Sequence, residues 1–423
     1  MPRLTPPLPA LGALLSLLAV AVPASQAQEW TRFRGPNGQG ATDQYDLPAQ
    51  WSADDYQWSI ELPGIGHSSP VAWGDKVFVT SADPQDATQY VLCIDLVTGK
   101  QLWRRKFAAV PYHLHSRASF ACSTPAVDSQ RVYVAWATPQ SVILKALDHQ
   151  GRDVWTRDLG PFVSQHGFGS SPILYQNLLI FSNSQQEEQL REGKTPGKST
   201  LVALDKQTGK TVWEIERRSV RVCYTVPCIY RGGDGTPQLI HYNTGDGFYS
   251  VDPLSGKINW IVPRVFRMRT VSSPVIAGGK IFGSTGSGGG GNYVVAIDPA
   301  GTPRKAYTID RQAPYVPTPV ARGDLLFLFS DKGIVTCVDA KSGREYWKER
   351  IRGAFSGSPV RVKDKIYCIT EKGEVIVLAA EKTFRELGRN ELGERSRSTP
   401  AVTRGRMLLR TYSHLYCLGN RGV

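Results

Sequence analysis

The sequence predicts an all-β chain: an eight-bladed β-propeller of four-stranded antiparallel blades, its ring closed by an N-terminal strand that completes the last blade. Three observations point there. First, a step of one residue, a proline and an apolar stretch recurs eight times, at Pro70, Pro125, Pro172, Pro227, Pro274, Pro319, Pro359 and Pro400. The residue before each proline is Ser69, Thr124, Ser171, Val226, Ser273, Thr318, Ser358 and Thr399. The mean spacing of about 47 residues is that of one propeller blade. Second, short alternating β-branched runs separated by turns fill each period, as Trp73-Gly74-Asp75-Lys76 leads into Val77-Phe78-Val79-Thr80, which is strand patterning. Third, each third strand tends to end in an aspartate followed by a glycine turn and then a tryptophan.

The aspartate–glycine–tryptophan pattern has a structural chemistry. An aspartate accepts hydrogen bonds from the turn it precedes, and glycine supplies the positive φ there. Asp95, Gly99 and Trp103 make one such set, as do Asp205, Gly209 and Trp213, Asp252, Gly256 and Trp260, and Asp339, Gly343 and Trp347. The indole is expected to pack between blades with its N–H satisfied at the rim. Blade five carries Tyr307 near the tryptophan position, blade seven has Ala379 in place of the aspartate, and blade eight stops at Cys417-Leu418-Gly419 without a fourth strand. An open ring would leave a sheet edge exposed. Trp58-Ser59-Ile60-Glu61-Leu62, which alternates and carries a tryptophan, is the expected closing strand.

The rest of the chain sorts around that ring. Residues 1–27 read as a secretory signal, with Arg3 ahead of an apolar run from Leu8 to Val22 and a small-residue site at Ser25-Gln26-Ala27. Residues 28–56 form an N-terminal extension and 57–420 the propeller. Removing the signal leaves a net charge of +12 rather than +13, with no transmembrane helix expected in the mature chain. The chain is therefore expected to be exported, periplasmic or secreted, and monomeric. The seven cysteines include no metal knuckle or haem motif. Cys93, Cys337 and Cys417 occupy the repeat position held by Ala146, Ala203, Ser250 and Ala296, and so read as small buried fillers. Cys223 and Cys228 flank one proline step and are not expected to bridge.

The repeat around Ala203-Leu204-Asp205-Lys206-Gln207-Thr208-Gly209-Lys210-Thr211-Val212-Trp213 resembles the tryptophan-docking motif of the pyrroloquinoline quinone (PQQ)-like propeller repeats. The resemblance spans roughly residues 50–420 and implies the fold strongly and the chemistry weakly. Its dehydrogenase branch uses PQQ and calcium, with two adjacent cysteines, calcium ligands and a catalytic aspartate; this chain has no Cys-Cys pair and no motif that places those ligands. The length and blade number instead resemble the BamB-like, non-enzymatic branch, although the lipid-bearing cysteine usual there is missing. The opening Trp30-Thr31-Arg32-Phe33-Arg34-Gly35-Pro36-Asn37-Gly38 is similar to the start of many secreted propellers of this kind.

Ligand chemistry is expected on the face carrying the second-to-third-strand and blade-to-blade loops. The segments leading into each proline are basic. His67 and Arg397 lie three residues before a proline, Arg269 and Arg395 five, and His166 and Arg221 six; Arg117 lies within a His-x-His-x-Arg run with His113 and His115. Cations repeated at equivalent blade positions suit anion recognition. His67, Arg117, His166, Arg221, Arg269, Arg395 and Arg397 are the candidate contacts for an acidic protein or anionic glycan partner in the envelope. Nucleic acid is not expected. His113 and His115 lack an identifiable third metal ligand, and the Gly286–Gly291 run lacks the helix and Lys-Ser/Thr pair of a phosphate cradle. The insertion from Gln185 to Ser199 is expected to project on the same face. With no nucleophile elbow, zinc helix or paired carboxylates in the sequence, the expectation is a binding or scaffold module with no cofactor. The alternative is a PQQ-dependent oxidoreductase with a divergent site.

Overall fold

A computed structural model of the chain describes residues 1, 2 and 29–419, apart from 189, 191, 192 and 194. The expected signal segment therefore lies almost wholly outside the described residues. The rest forms eight sheets, seven antiparallel of four strands and one of five strands that includes a parallel pair. Blade one is Val71–Trp73, Lys76–Ala82, Gln89–Asp95 and Gln101–Phe107, and the order repeats around the ring to blade seven. In blade eight, Tyr56–Glu61 pairs antiparallel with His414–Gly419, with Tyr56 opposite Leu418 and Glu61 opposite His414. The N-terminal strand thus supplies the missing outer strand and removes the open edge. Among the described residues no helix is long and apolar enough to cross a membrane.

The repeat residues hold neighbouring blades together in two layers. At the rim, Trp58, Trp103, Trp155, Trp213 and Trp347 each donate Nε1–H to a main-chain carbonyl of the next blade, at Leu96, His149, Lys206, Pro253 and Glu381, over 2.9–3.1 Å. Tyr307 makes the equivalent bond to Ala340 through its hydroxyl, at 2.6 Å. The indole lies flat on the turn glycine. A Cβ at Gly209, where φ is +71°, would sit 2.7 Å from Trp155. Trp260 is the exception: it bonds Gln238 Oε1 of its own blade, and nothing lies within 4 Å of a Cβ built at Gly301 in the turn it would be expected to cover. The small-residue position also has its reason, because Cys93, Cys337 and Cys417 stand directly opposite Trp103, Trp347 and Trp58 in the strand register. All three are fully buried, and all seven cysteines are free thiols.

Near the axis the residue before each proline forms a second layer. The Ser69 N–H donates to Thr124 Oγ1, and the Thr124 N–H to Ser171 Oγ. On the other side, Val226 N–H reaches Ser273 Oγ, Ser273 N–H reaches Thr318 Oγ1, Thr318 N–H reaches Ser358 Oγ, and Ser358 N–H reaches Thr399 Oγ1. The hydroxyl belongs to the repeat because a proline follows: this N–H is the last main-chain donor before a residue that has none. Val226 offers no hydroxyl, so that side-chain chain stops between blades three and four.

The segment 30–42 closes the channel on one side of this layer. Trp30 is fully buried. The main chain of the segment bonds the inner strands of blades one, two and seven: Ala72 N–H to Trp30 O, Val127 N–H to Thr31 O, and Arg361 N–H to Gly40 O. Its side chains reach blades four to seven. Arg32 bonds Pro227 O, Asn37 exchanges bonds with Ile229, Gln39 accepts from Ile276 N–H, and Arg34 bonds Thr318, Pro319 and Pro359 carbonyls. Ala41–Thr42 then adds a parallel strand to Val360–Val362, making blade seven five-stranded.

Candidate functional site

On the other side of the hydroxyl layer the channel opens into a cavity of about 550 Å³. Phe33 of the N-terminal segment lies at its base beside Thr124, Ser171, Thr318, Ser358 and Thr399, so the cavity is blind. Phe168, Tyr224, Val271, Tyr315 and Val316 give it aromatic and aliphatic walls. Six of the seven candidate contacts named from the sequence converge on it: His67, Arg117, His166, Arg221, Arg269 and Arg397.

Arg395 does not line the cavity. It is exposed, and its guanidinium stacks over the Tyr412 ring at 5.6 Å, while its carbonyl accepts from Tyr412 N–H. Arg269, which has the same offset from its proline, is only 5% exposed, donates Nε–H to Val222 O, and is fixed by a bridge to Gly286. Equal offset in sequence does not give equal direction, because the loops entering blades five and eight pair with different neighbours.

The histidines are held neutral by their surroundings. His67 is pushed down to about 3 by burial and by the charges of Arg410, Arg397 and Arg395. His166 is pushed down to about 4 by burial and Arg269. His115, whose ring centroid is 4.8 Å from that of His166, is lowered by burial and by Arg117. The cationic character of the cavity therefore comes from its four arginines. Against them stands Glu371, 3.6 Å from Arg397 Nη2 and 4.0 Å from Arg117 Nε, with its carboxylate accepting from Ser356 Oγ–H. Asp331, nearby, accepts from the Tyr315 and Val316 N–H groups. Burial raises its carboxyl above the ordinary value.

Among the described residues no three His, Cys, Asp or Glu side chains gather where they could hold a metal ion. The glycine run is a structured edge of the site: Gly286, Ser287 and Gly288 line the cavity, with Ser287 N–H donating to Asn292 Oδ1. The described start of the 185–199 insertion is docked. Gln185 and Gln186 are buried, the side chain of Gln185 accepts from Val163 N–H, and the Glu187 and Glu188 N–H groups donate to Ser219 and Val220 carbonyls. Part of that insertion lies outside the described residues.

Sequence reasoning missed Phe33, Tyr224, Tyr315 and Glu371. The available signal was the Trp30–Gly38 segment, whose two arginines and Asn37 in a glycine-containing stretch match a plug that bonds main-chain carbonyls.

A family model described as outer membrane protein assembly factor BamB matches residues 49–221, 87–349 and 311–418. No curated protein matches the chain. Among solved structures, BamB from Moraxella catarrhalis is similar with a TM-score of 0.60 at 15% identity, covering 86% of this chain and 97% of that one. A quinohemoprotein alcohol dehydrogenase from Comamonas testosteroni gives 0.63 at 13% identity, over 92% of this chain and 80% of that one. Sqt1 from Saccharomyces cerevisiae gives 0.61 at 9% identity, over 88% and 99%. At these identities the likeness is one of fold.

Proposed function

The chain belongs to the BamB family of PQQ-like propellers, and we propose that it is an exported, non-catalytic binding module whose axial cavity captures an acidic group of a protein or glycan partner in the cell envelope. One observation carries this reading: Arg117, Arg221, Arg269 and Arg397, from loops of different blades, converge on one blind cavity, with the Glu371 carboxylate beside two of them. Clustered cations around a low-dielectric cleft focus potential and draw anions in. The test is capture of acidic peptides and anionic glycans by the mature protein and by the Arg221→Glu, Arg269→Glu, Arg397→Glu variant, after thermal melts show the variant folded. Loss of capture is expected; unchanged capture overturns the reading.

The quinohemoprotein likeness and the axial position of the cavity favour one second reading, a PQQ-dependent oxidoreductase. The side chains here suit it poorly. Glu371 is committed to Ser356 and stands beside two arginines, Asp331 is committed to two main-chain N–H groups, and no calcium ligand set gathers among the described residues. Calorimetric titration with PQQ, in calcium and then in chelator, with dye reduction on the same sample, separates the two. Saturable calcium-dependent binding with turnover would replace the module reading.

A further inference from the structure

Within the cavity the cations are not equivalent. Arg269 has committed its Nε–H to Val222 O. Arg397 is different: its side chain is 7% exposed, Nη1–H donates to Ser116 O at 3.2 Å, and Nη2 stands 3.6 Å from Glu371, beyond hydrogen-bond reach. Its Nε is buried with no partner. On the same wall, His67 Nδ1 is also buried with no partner. His67 is fixed in place by its main chain, since the His67 and Ser68 N–H groups both donate to Ala121 O, and its ring lies 5.0 Å from that of Tyr412. Arg117 completes the group from the neighbouring loop, with Glu371 4.0 Å away.

Arg397 Nε and His67 Nδ1, with Arg410 Nε and Nη2 deeper in the same seam, are buried without partners, and such atoms are costly unless something meets them. Glu371 neutralises part of the charge but bonds neither arginine closely, because its carboxylate is turned to Ser356. The arrangement is a fork-shaped donor beside an imidazole, with an internal carboxylate at its edge. A guanidinium fork matches planar and tetrahedral oxyanions.

We propose that the seam between blades eight and one is a single-oxyanion subsite, where Arg397 and His67 receive one carboxylate or phosphate group and Glu371 is the internal anion that competes with it. The proposal rests on the cavity reading above and deepens it by naming the group bound and the residues that hold it. An anion seated there meets Arg397 from blade eight and Arg117 from blade two, with Glu371 beside them, while His67 also feels the charges of Arg410 and Arg395 from blade eight. The anion offsets part of the arginine field that adds to burial in holding His67 neutral, so the imidazole becomes easier to protonate once the anion is seated.

The experiment titrates the mature full chain with inorganic phosphate and, separately, succinate, and follows the imidazole NMR signals at pH 7.0 and 5.5. Expected is saturable movement of the His67 signal at both pH values, with binding weakened at least tenfold in Arg397→Gln, tightened several-fold in Glu371→Gln, and unchanged in Arg395→Gln. A stronger response to phosphate assigns a phosphorylated headgroup or sugar and a stronger response to succinate a carboxylate; either upholds the subsite. If Arg397→Gln binds as the parent does while Arg221→Gln weakens binding, the cavity reading stands and the subsite falls. If neither anion moves any cavity histidine, both fall. Thermal melts of each variant separate loss of binding from loss of fold, and Arg397→Lys, which keeps the charge without the fork, gives a second measure of the same contact.

Discussion

At the plugged end of the axial channel Arg34 is fully buried and spends its guanidinium on five carbonyls: Gly38 through Nε, Thr318 and Pro359 through Nη1, and Gln39 and Pro319 through Nη2. At the open end Arg397 leaves Nε unmet. The same side chain thus does two jobs in one channel. Where carbonyls of several blades converge, the fork ties blades together and has nothing left for a ligand. Where loops diverge, the fork keeps spare donors, and those are what an incoming anion can use. Burial lowers Arg34 to about 9, so it remains a cation at neutral pH without a carboxylate partner.

The largest expected effect breaks the plugged end. Arg34→Met removes all five bonds and should destabilise the protein by roughly 3–5 kcal/mol, the cost of leaving buried polar groups unmet. A denaturant melt of that variant, beside Arg221→Gln at the open end, tests the contrast. Arg221→Gln should stay within about 0.5 kcal/mol of the parent, as surface changes usually do. Equal losses at both ends would remove the distinction.

The rim provides the next test. Gly209→Ala places a Cβ 2.7 Å from Trp155 at a φ of +71°, and a loss of about 2–4 kcal/mol is expected from strain and overpacking. The matching change at Gly301, which also has positive φ but open space above it, should cost only the backbone part, about 1 kcal/mol. A comparable loss at both glycines would show that the indole contact contributes nothing. Nearer the axis, Thr318→Val removes the hydroxyl that accepts from Ser273 N–H, and the orphaned donor should cost about 1–3 kcal/mol.

A pH series sharpens the comparison at the open end. His67 and His166 of the cavity have folded values of about 3 and 4, and His241, buried in blade four between Thr225 and Tyr249, about 4, all below the ordinary 6.5. The unfolded chain therefore takes up protons first, so the stability these histidines contribute is complete above pH 6.5 and is lost as pH falls through their folded values. The melting temperature should drop by several degrees between pH 7 and pH 5, and added phosphate should shrink that drop if an anion seats beside His67. A flat profile would mean that the imidazoles are not held neutral.

Much of this was legible in the sequence because repeats carry their own alignment. The proline steps, the aspartate–glycine turns and the tryptophans placed eight blades and the closing strand, since each depends on local turn chemistry and strand alternation. Five of the six candidates placed by their offset to the proline, His67, His166, Arg221, Arg269 and Arg397, line the cavity, and Arg117, singled out by its basic run, joins them. Arg395 did not, because its direction depends on the Tyr412 ring from the next hairpin. Trp260 also departed: it turned to Gln238 of its own blade.

By itself, then, the sequence determined the ring, its closure and the face on which the cations gather, all properties written in short-range pattern and repeated eight times. Only the tertiary structure decided that residues 30–40 plug one end, that Glu371 stands among the arginines, and that Arg34 is spent while Arg397 is not. Those outcomes depend on contacts between residues hundreds of positions apart, such as Arg34 with Pro359. No local pattern encodes which carbonyls will surround a guanidinium, because that is fixed only when the ring closes.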